Sequence, residues 1–242
     1  MAETDGSIVL LAGASGLTGT CVLNALLDAP DVSRVIAVSR RPLPREHARL
    51  ANRIVPFERL EEQLRGTSCH AALCCLGTTA RKAGSAERFR AVDLDLVLAF
   101  ARAARAAGAR RFVFLSSVGA DATSRNLYLR TKGEAERALE ALGFESLAIL
   151  QPSLLLGWRR EMRPLELIGV TLMPLVNPLL RGKHLNARGI PARMVAAAML
   201  GALRSGRRGV QRYTFAGLEE LSRISAPRAR PPAPAKAPAG AR

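Results

Sequence analysis

"SIVLLAGASGLTGTCVLNALLD", residues 7–28, changes its hydrophobic rhythm halfway along. The first six residues are a short, nearly unbroken apolar run, the pattern of a strand covered on both faces. From Thr18 onward the apolar positions recur at helical spacing. Between them stand Gly13, Gly16 and Gly19, in the spacing GxxGxxG rather than GxGxxG. Glycines at such a turn let the backbone reverse tightly, approach a bound group closely and seat the helix against the strand. A helix that starts there presents free N–H groups and the positive end of its dipole, so the turn suits a phosphate-bearing ligand.

The same alternation continues outward. VIAVS (35–39), AALCCL (71–76), RFVFLSS (111–117) and SLAILQ (146–151) read as strands, with IVPF (54–57) a weaker one. TGTCVLNALLD, DLDLVLAFARAARAAG and KGEAERALEALG read as helices between them, two of them ending at a glycine suited to a helix C-cap. Apolar strands alternating with helices imply an α/β fold, a doubly wound parallel sheet of the Rossmann type. After Gln151 the rhythm breaks, and a helix MVAAAMLGALR (194–204) follows a Pro-interrupted apolar run. We expect one domain over 1–221, with a small C-terminal cap from about residue 152. Residues 222–242, Pro/Ala-rich and basic, are expected to form a disordered tail.

The chain has 242 residues and 48% hydrophobic content, enough for one well-packed core. Its net charge of +16 favours anionic ligands, and five of the basic residues fall in the tail, where there is no acid. An aromatic content of 4% argues against a dedicated single-strand nucleic-acid reader, which stacks bases on aromatic rings. Cys21, Cys69, Cys74 and Cys75 contain no CxxC pair, so we expect reduced core thiols and no metal site. The N-terminal MAETDGS lacks the basic flank of a signal peptide, and no segment reaches membrane-spanning length, so the cytoplasm is the expected compartment. LIGVTLMPLVNPLL (167–180) would line an apolar acceptor pocket or a subunit contact. With Arg181, Lys183 and Arg188 beside it, it could also touch a membrane surface.

After the second strand a dinucleotide site usually presents an acid to the ribose 2′-hydroxyl; here the residues are "VSRRP", placing Ser39, Arg40 and Arg41 at that point. Guanidinium groups fork onto a 2′-phosphate, so NADP(H) is favoured over NAD(H). In "YLRTK" (128–132) Tyr128 and Lys132 are four residues apart and share a helix face. A phenol titrates at about 10 in water, and a nearby ammonium and a positive nicotinamide ring both favour the phenolate, which suits proton transfer.

GASGLTG (13–19), CCLGTTARKAG (74–84), LSSVGAD (115–121) and YLRTKGEAE (128–136) occur in this order. In them the chain resembles the atypical short-chain dehydrogenase/reductases, above all the Tat-interacting oxidoreductase group and its bacterial relatives, from about Ile8 to Arg163. The resemblance implies cofactor contacts from Gly13, Ser15, Gly16, Leu17, Thr18 and Gly19 at the phosphates and from Arg40 and Arg41 at the adenosine end. It places Leu76 and Gly77 at the adenine-side ribose and Leu155 and Arg163 at the nicotinamide side. Tyr128 would be the proton donor and Lys132 its partner, with Ser116 or Ser117 holding the substrate oxygen. The sugar-modifying relatives favour Asn where this chain has "VDLD"; Asp93 and Asp95 read here as acids complementing the start of a helix.

The expectation is an NADP(H)-dependent oxidoreductase acting on a small carbonyl or quinone-like, apolar acceptor. The alternatives are a non-catalytic NADP(H) sensor that reports to a partner and, ranked lower, a nucleotide-sugar epimerase or dehydratase. The sequence leaves oligomeric state open.

Overall fold

A computed structural model describes residues 6–56, 59–153, 155–156 and 188–225 of the chain. Strands β1 (Ser7–Ala12), β2 (Val32–Ser39), β3 (Leu50–Ile54), β4 (Ala71–Cys74), β5 (Arg111–Leu115), β6 (Ser146–Leu150) and β9 (Gly209–Tyr213) form one parallel sheet in the order β3-β2-β1-β4-β5-β6-β9. Two residues of β7 (Leu155–Leu156) pair in parallel with β8 (Ile190–Pro191) in a separate small ladder.

Alternate residues of each strand feed opposite cores, which is why the strands read as continuous apolar runs. Val9 and Leu11 of β1 and Val35 and Ala37 of β2 face α1 (Leu17–Asp28) together with α7 (Ala192–Arg204) and α8 (Phe215–Ile224). Leu10, Ala12, Ile36 and Val38 join the opposite core with Leu60 of the short α2 (Leu60–Gln63), Val97 and Phe100 of α5 (Leu96–Ala106) and Leu139 of α6 (Leu127–Ala141). Phe100, Phe112 and Phe114 are fully buried there, and burying each such side chain contributes about 1.5–3 kcal/mol. Arg49 ties the C-terminal end of α1 to the start of β2: its guanidinium donates to the carbonyls of Leu27 and Ala29 at the helix end and of Val32 in the strand.

Several sequence boundaries move. The strand expected at 54–57 lies at Leu50–Ile54, because Pro56 has no N–H for a ladder and the last such bond runs from Val55 N to Ser39 O. Strand β9 has an exposed, polar edge pattern that gives no apolar run, and α8 carries the chain to Ile224. The boundary expected at residue 222 falls inside α8: Leu221 is buried, Ser222 Oγ donates to the Glu219 carbonyl, and Arg223 pairs with Glu219 at 3.0 Å. Of the region from about 152 expected to form a cap, the described residues include the β7–β8 ladder, and 192–225 joins the main body. The run at 167–180, with Arg181 and Lys183, lies outside the described residues, as does 226–242.

DLDLVLAF does not begin a helix. The helical chain starts at α4 (Ala86–Arg90), capped by the Ser85 hydroxyl accepting from Arg88 N–H at 3.2 Å. It passes through a π-helical turn, Ala91–Asp95, into α5, so Asp93 and Asp95 stand inside it rather than at its positive end. The glycine C-caps are as expected: Gly108 and Gly143 have φ of +92° and +65°.

Candidate functional site

The strand order reverses direction between β1 and β4, and the loops leaving these two strands open the crevice where open α/β sheets bind ligands. Gly13 follows β1 at φ +84°, and a Cβ there would stand 2.5 Å from the Cys75 carbonyl. Gly19 is tighter still, since its Cβ would come within 1.9 Å of the Gly13 oxygen. Gly16 is the N-cap of α1 and has no side chain to cap it, and the first turn carries no acid. Ser15 lies exposed on this turn, Leu17 is half-buried, and Thr18 Oγ1 is buried without a hydrogen-bond partner among the described residues. A glycine cradle, uncapped N–H groups and an orphaned hydroxyl fit a pyrophosphate.

At the end of β2, Arg40 and Arg41 are exposed while Ser39 is buried. Their loop is stapled by Asn52 of β3, which the sequence reading missed. Asn52 Nδ2 donates to Ser39 Oγ at 2.7 Å and to the Ala37 carbonyl at 3.1 Å, and its Oδ1 accepts from Leu43 N–H at 2.9 Å. Ser39 Oγ in turn donates to the Arg41 carbonyl at 2.7 Å. Ser39 is thus a loop brace beside the exposed Arg40 and Arg41.

Tyr128 and Lys132 sit one turn apart on α6, whose N-cap Asn126 accepts from Leu129 N–H at 3.2 Å. The Tyr128 ring is 36% exposed and packs 5.9 Å from the Phe89 ring. Lys132 is 4% exposed; its Nζ lies 2.9 Å from Asp93 Oδ1 and 5.2 Å from the centre of the Phe114 ring. Gly77 covers this pair, since a Cβ on it would stand 3.2 Å from Asp93 Oδ1 and 3.5 Å from Nζ. Asp93 Oδ2 accepts from Thr78 N–H at 2.7 Å. Asp93 and Asp95 were read as dipole complements; Asp93 is instead the fully buried counter-ion of Lys132.

The two serines separate. Ser116 Oγ donates to Glu136, and Glu136 also accepts from Gln151 Nε2 at 2.9 and 3.1 Å and pairs with Arg212 at 3.2 Å. That carboxylate is 3% exposed and ties the ends of β5 and β6 and strand β9 to α6. Among the described residues Ser117 Oγ makes only a 3.4 Å bond to the Val118 carbonyl. The glycine of YLRTKGE has a packing reason: a Cβ on Gly133 would lie 2.2 Å from Ala122 N, so the loop after β5 rests directly on α6.

Leu76 is buried against the α5 core and Gly77 is exposed beside the crevice. Leu155 packs half-buried at the edge of the α1 core, and Arg163 lies outside the described residues. All four cysteines are free thiols; burial pushes Cys69 up to about 11 and Cys74 up to about 12, and raises Cys75 as well. Among the described residues no group of three His, Cys, Asp or Glu side chains could hold a metal ion, and no helix is long and apolar enough to cross a membrane.

Residues 13–205 match the family model described as NAD(P)H-binding. Among curated proteins, the chain is 43% identical over 162 residues to Protein HTATIP2 of Rattus norvegicus, covering 65% of this chain and 66% of that one. It is 35% identical over 167 residues to Protein fmp52, mitochondrial, of Emericella nidulans, covering 66% and 72%. Among solved structures, MoeE5 in complex with UDP-glucuronic acid and NAD superposes with a TM-score of 0.65 at 19% identity, covering 86% of this chain and 75% of that one. UDP-glucose 4-epimerase from Thermotoga maritima does so at 0.63 and 16%, covering 90% and 82%; likeness at these identities shows the fold alone. Fold and crevice define an NAD(P)H-binding protein of the Rossmann type. The chain belongs to the NAD(P)H-binding family and, within it, to the atypical short-chain dehydrogenase/reductases, an oxidoreductase-type group.

Proposed function

We propose that this chain is an NADP(H)-dependent oxidoreductase that reduces a small, apolar carbonyl or quinone-like acceptor. The observation that carries the proposal is the buried Lys132 ammonium under Gly77, one helical turn from the half-exposed Tyr128 phenol, at the mouth of the glycine crevice. The α1 N-terminus with Ser15, Gly16, Leu17 and Thr18 would hold the pyrophosphate, and Arg40 and Arg41 the 2′-phosphate. A bound reduced nicotinamide supplies the hydride. Tyr128 gives its phenolic proton to the oxygen of the acceptor as negative charge grows there. Lys132 stabilises the charge left on the phenol oxygen and donates to ribose hydroxyls. Ser117, whose hydroxyl has a single long bond among the described residues, orients the acceptor oxygen, while Ser116 is occupied with Glu136. The four free thiols, two of them buried, accord with a reducing setting such as the cytoplasm.

One experiment tests this reading. NADPH and NADH are titrated onto wild type and Tyr128→Phe, and loss of reduced-nicotinamide absorbance is followed with quinones, aldehydes and ketones. We expect NADPH to bind at least about tenfold more tightly than NADH, and Tyr128→Phe to bind NADPH normally while losing about a hundredfold or more in turnover. Equal NADPH binding by both proteins with no oxidation by either would replace the reductase with a cofactor sensor.

A further inference from the structure

We propose that Asp93 is the positioning residue of the site: it keeps Lys132 charged and fixed beneath the loop that leaves β4. This inference rests on the reading of Lys132 as a cofactor-contacting residue.

A lysine 4% exposed has lost most of its hydration, and burial without compensation favours the neutral amine. Among the described residues Asp93 Oδ1, 2.9 Å away, is the only acceptor within reach of Nζ. The other groups around the ammonium do not substitute. On β5 it meets the face of the Phe114 ring. On β4 the nearest titratable group is the Cys74 thiol, held neutral by burial. On α6 itself, Tyr128 is a phenol rather than a carboxylate, and Glu136, one turn further on, is already engaged by Ser116, Gln151 and Arg212. Glu134 is paired with Arg90 of α4.

Asp93 itself is equally committed. It is fully buried; Oδ2 accepts from Thr78 N–H at 2.7 Å, and Oδ1 has no hydrogen-bond partner among the described residues, its contact being the ion pair with the ammonium at 2.9 Å. One carboxylate thus joins the Gly77–Thr78 loop of β4 to the helix that carries Tyr128. Its place in a π-helical turn matters, because the extra residue in that turn rotates the following side chains relative to a regular helix. An asparagine at this point would keep the bond to Thr78 N–H and lose the counter-charge.

The test uses Asp93→Asn, Lys132→Met and the double variant, with NADPH binding measured by fluorescence between about pH 7 and 9.5, together with urea unfolding. For wild type we expect nearly constant affinity across that range. For Asp93→Asn, affinity should weaken by about tenfold or more toward the alkaline end, as the unpaired lysine loses its proton. Lys132→Met and the double variant should bind more weakly at all pH values without that slope. In unfolding, the double variant should be more stable than Asp93→Asn alone, because it no longer buries an unpaired charge. If Asp93→Asn fails to fold while the double variant folds, the counter-charge role stands. A wild-type pH profile in Asp93→Asn, or a double variant no more stable than that single one, overturns the proposal. These readouts need no acceptor, so the inference can fail while the reductase reading survives, and the reverse.

Discussion

The two ends of the crevice are built from different materials. At the β1 end the chain uses backbone: Gly13, Gly16 and Gly19 clear a space, and the uncapped α1 N–H groups line it. At the β5–α6 end it uses buried charge: Asp93 with Lys132, and Glu136 with Ser116, Gln151 and Arg212. A phosphate is recognised by fixed N–H groups that need only room, whereas proton transfer needs charges in set places, and buried charges need partners. The first end is therefore sensitive to added atoms and the second to removed ones.

The sharpest way to break that contrast is Gly19→Ala. The added methyl would lie 1.9 Å from the Gly13 oxygen, a backbone atom that cannot move without opening the turn. We expect a loss of about 3 kcal/mol or more in urea unfolding, with NADPH binding lost alongside. Gly66→Ala is the control, since it has open space around it and only a positive φ, and it should cost about 1 kcal/mol.

At the other end, Glu136→Ala adds nothing and removes the acceptor of three side chains. Ser116 and Gln151 would be left with unsatisfied donors, and we expect about 2–4 kcal/mol of destabilisation by urea titration. A change below about 0.5 kcal/mol would mean that the network does not hold the strand ends to α6.

The smallest effect comes from a surface pair that belongs to neither end. Arg204 grips Asp31 and lowers its carboxyl below the ordinary 3.8. Because the folded value is depressed, the contribution is complete above 3.8 and disappears as pH falls through the folded value. Asp31 is 52% exposed, so the contribution is below about 1 kcal/mol. Asp31→Asn should lower stability slightly at neutral pH and lose that part of the acid sensitivity, as urea midpoints at neutral pH and about pH 3 would show.

Much of the fold was legible because its strands are buried on both faces and so stand out as apolar runs. Strand β1 occupies the expected residues, and β4, β5 and β6 begin where expected. The edge strands were not legible in the same way. Leu50–Ile54 contains Asn52 and Arg53, and Gly209–Tyr213 is largely exposed, so neither carries the hydrophobic signal that betrays an interior strand. In the site, Tyr128 and Lys132 could be found from an i, i+4 spacing. Of the partners that hold the site, Asp93 and Asn52 come from other elements, and Glu136, on α6 itself, shows its role only through Ser116, Gln151 and Arg212 of other elements.

What the sequence determined by itself is whatever local pattern encodes: the glycine turn between a strand and a helix, the Tyr-Lys spacing, the alternation that makes a parallel sheet, and arginines where an acid would read a ribose. What only the tertiary structure decided is which long-range pairs form. Asp93 turned out to be a counter-ion rather than a dipole complement because a π-helical turn carries it under Gly77 to meet Lys132. Ser116 and Ser117 were told apart because a strand end has two sides, and one of them faces Glu136. Dehydrated charges take the partners that packing brings within reach, and that proximity is a property of the folded chain rather than of neighbouring letters.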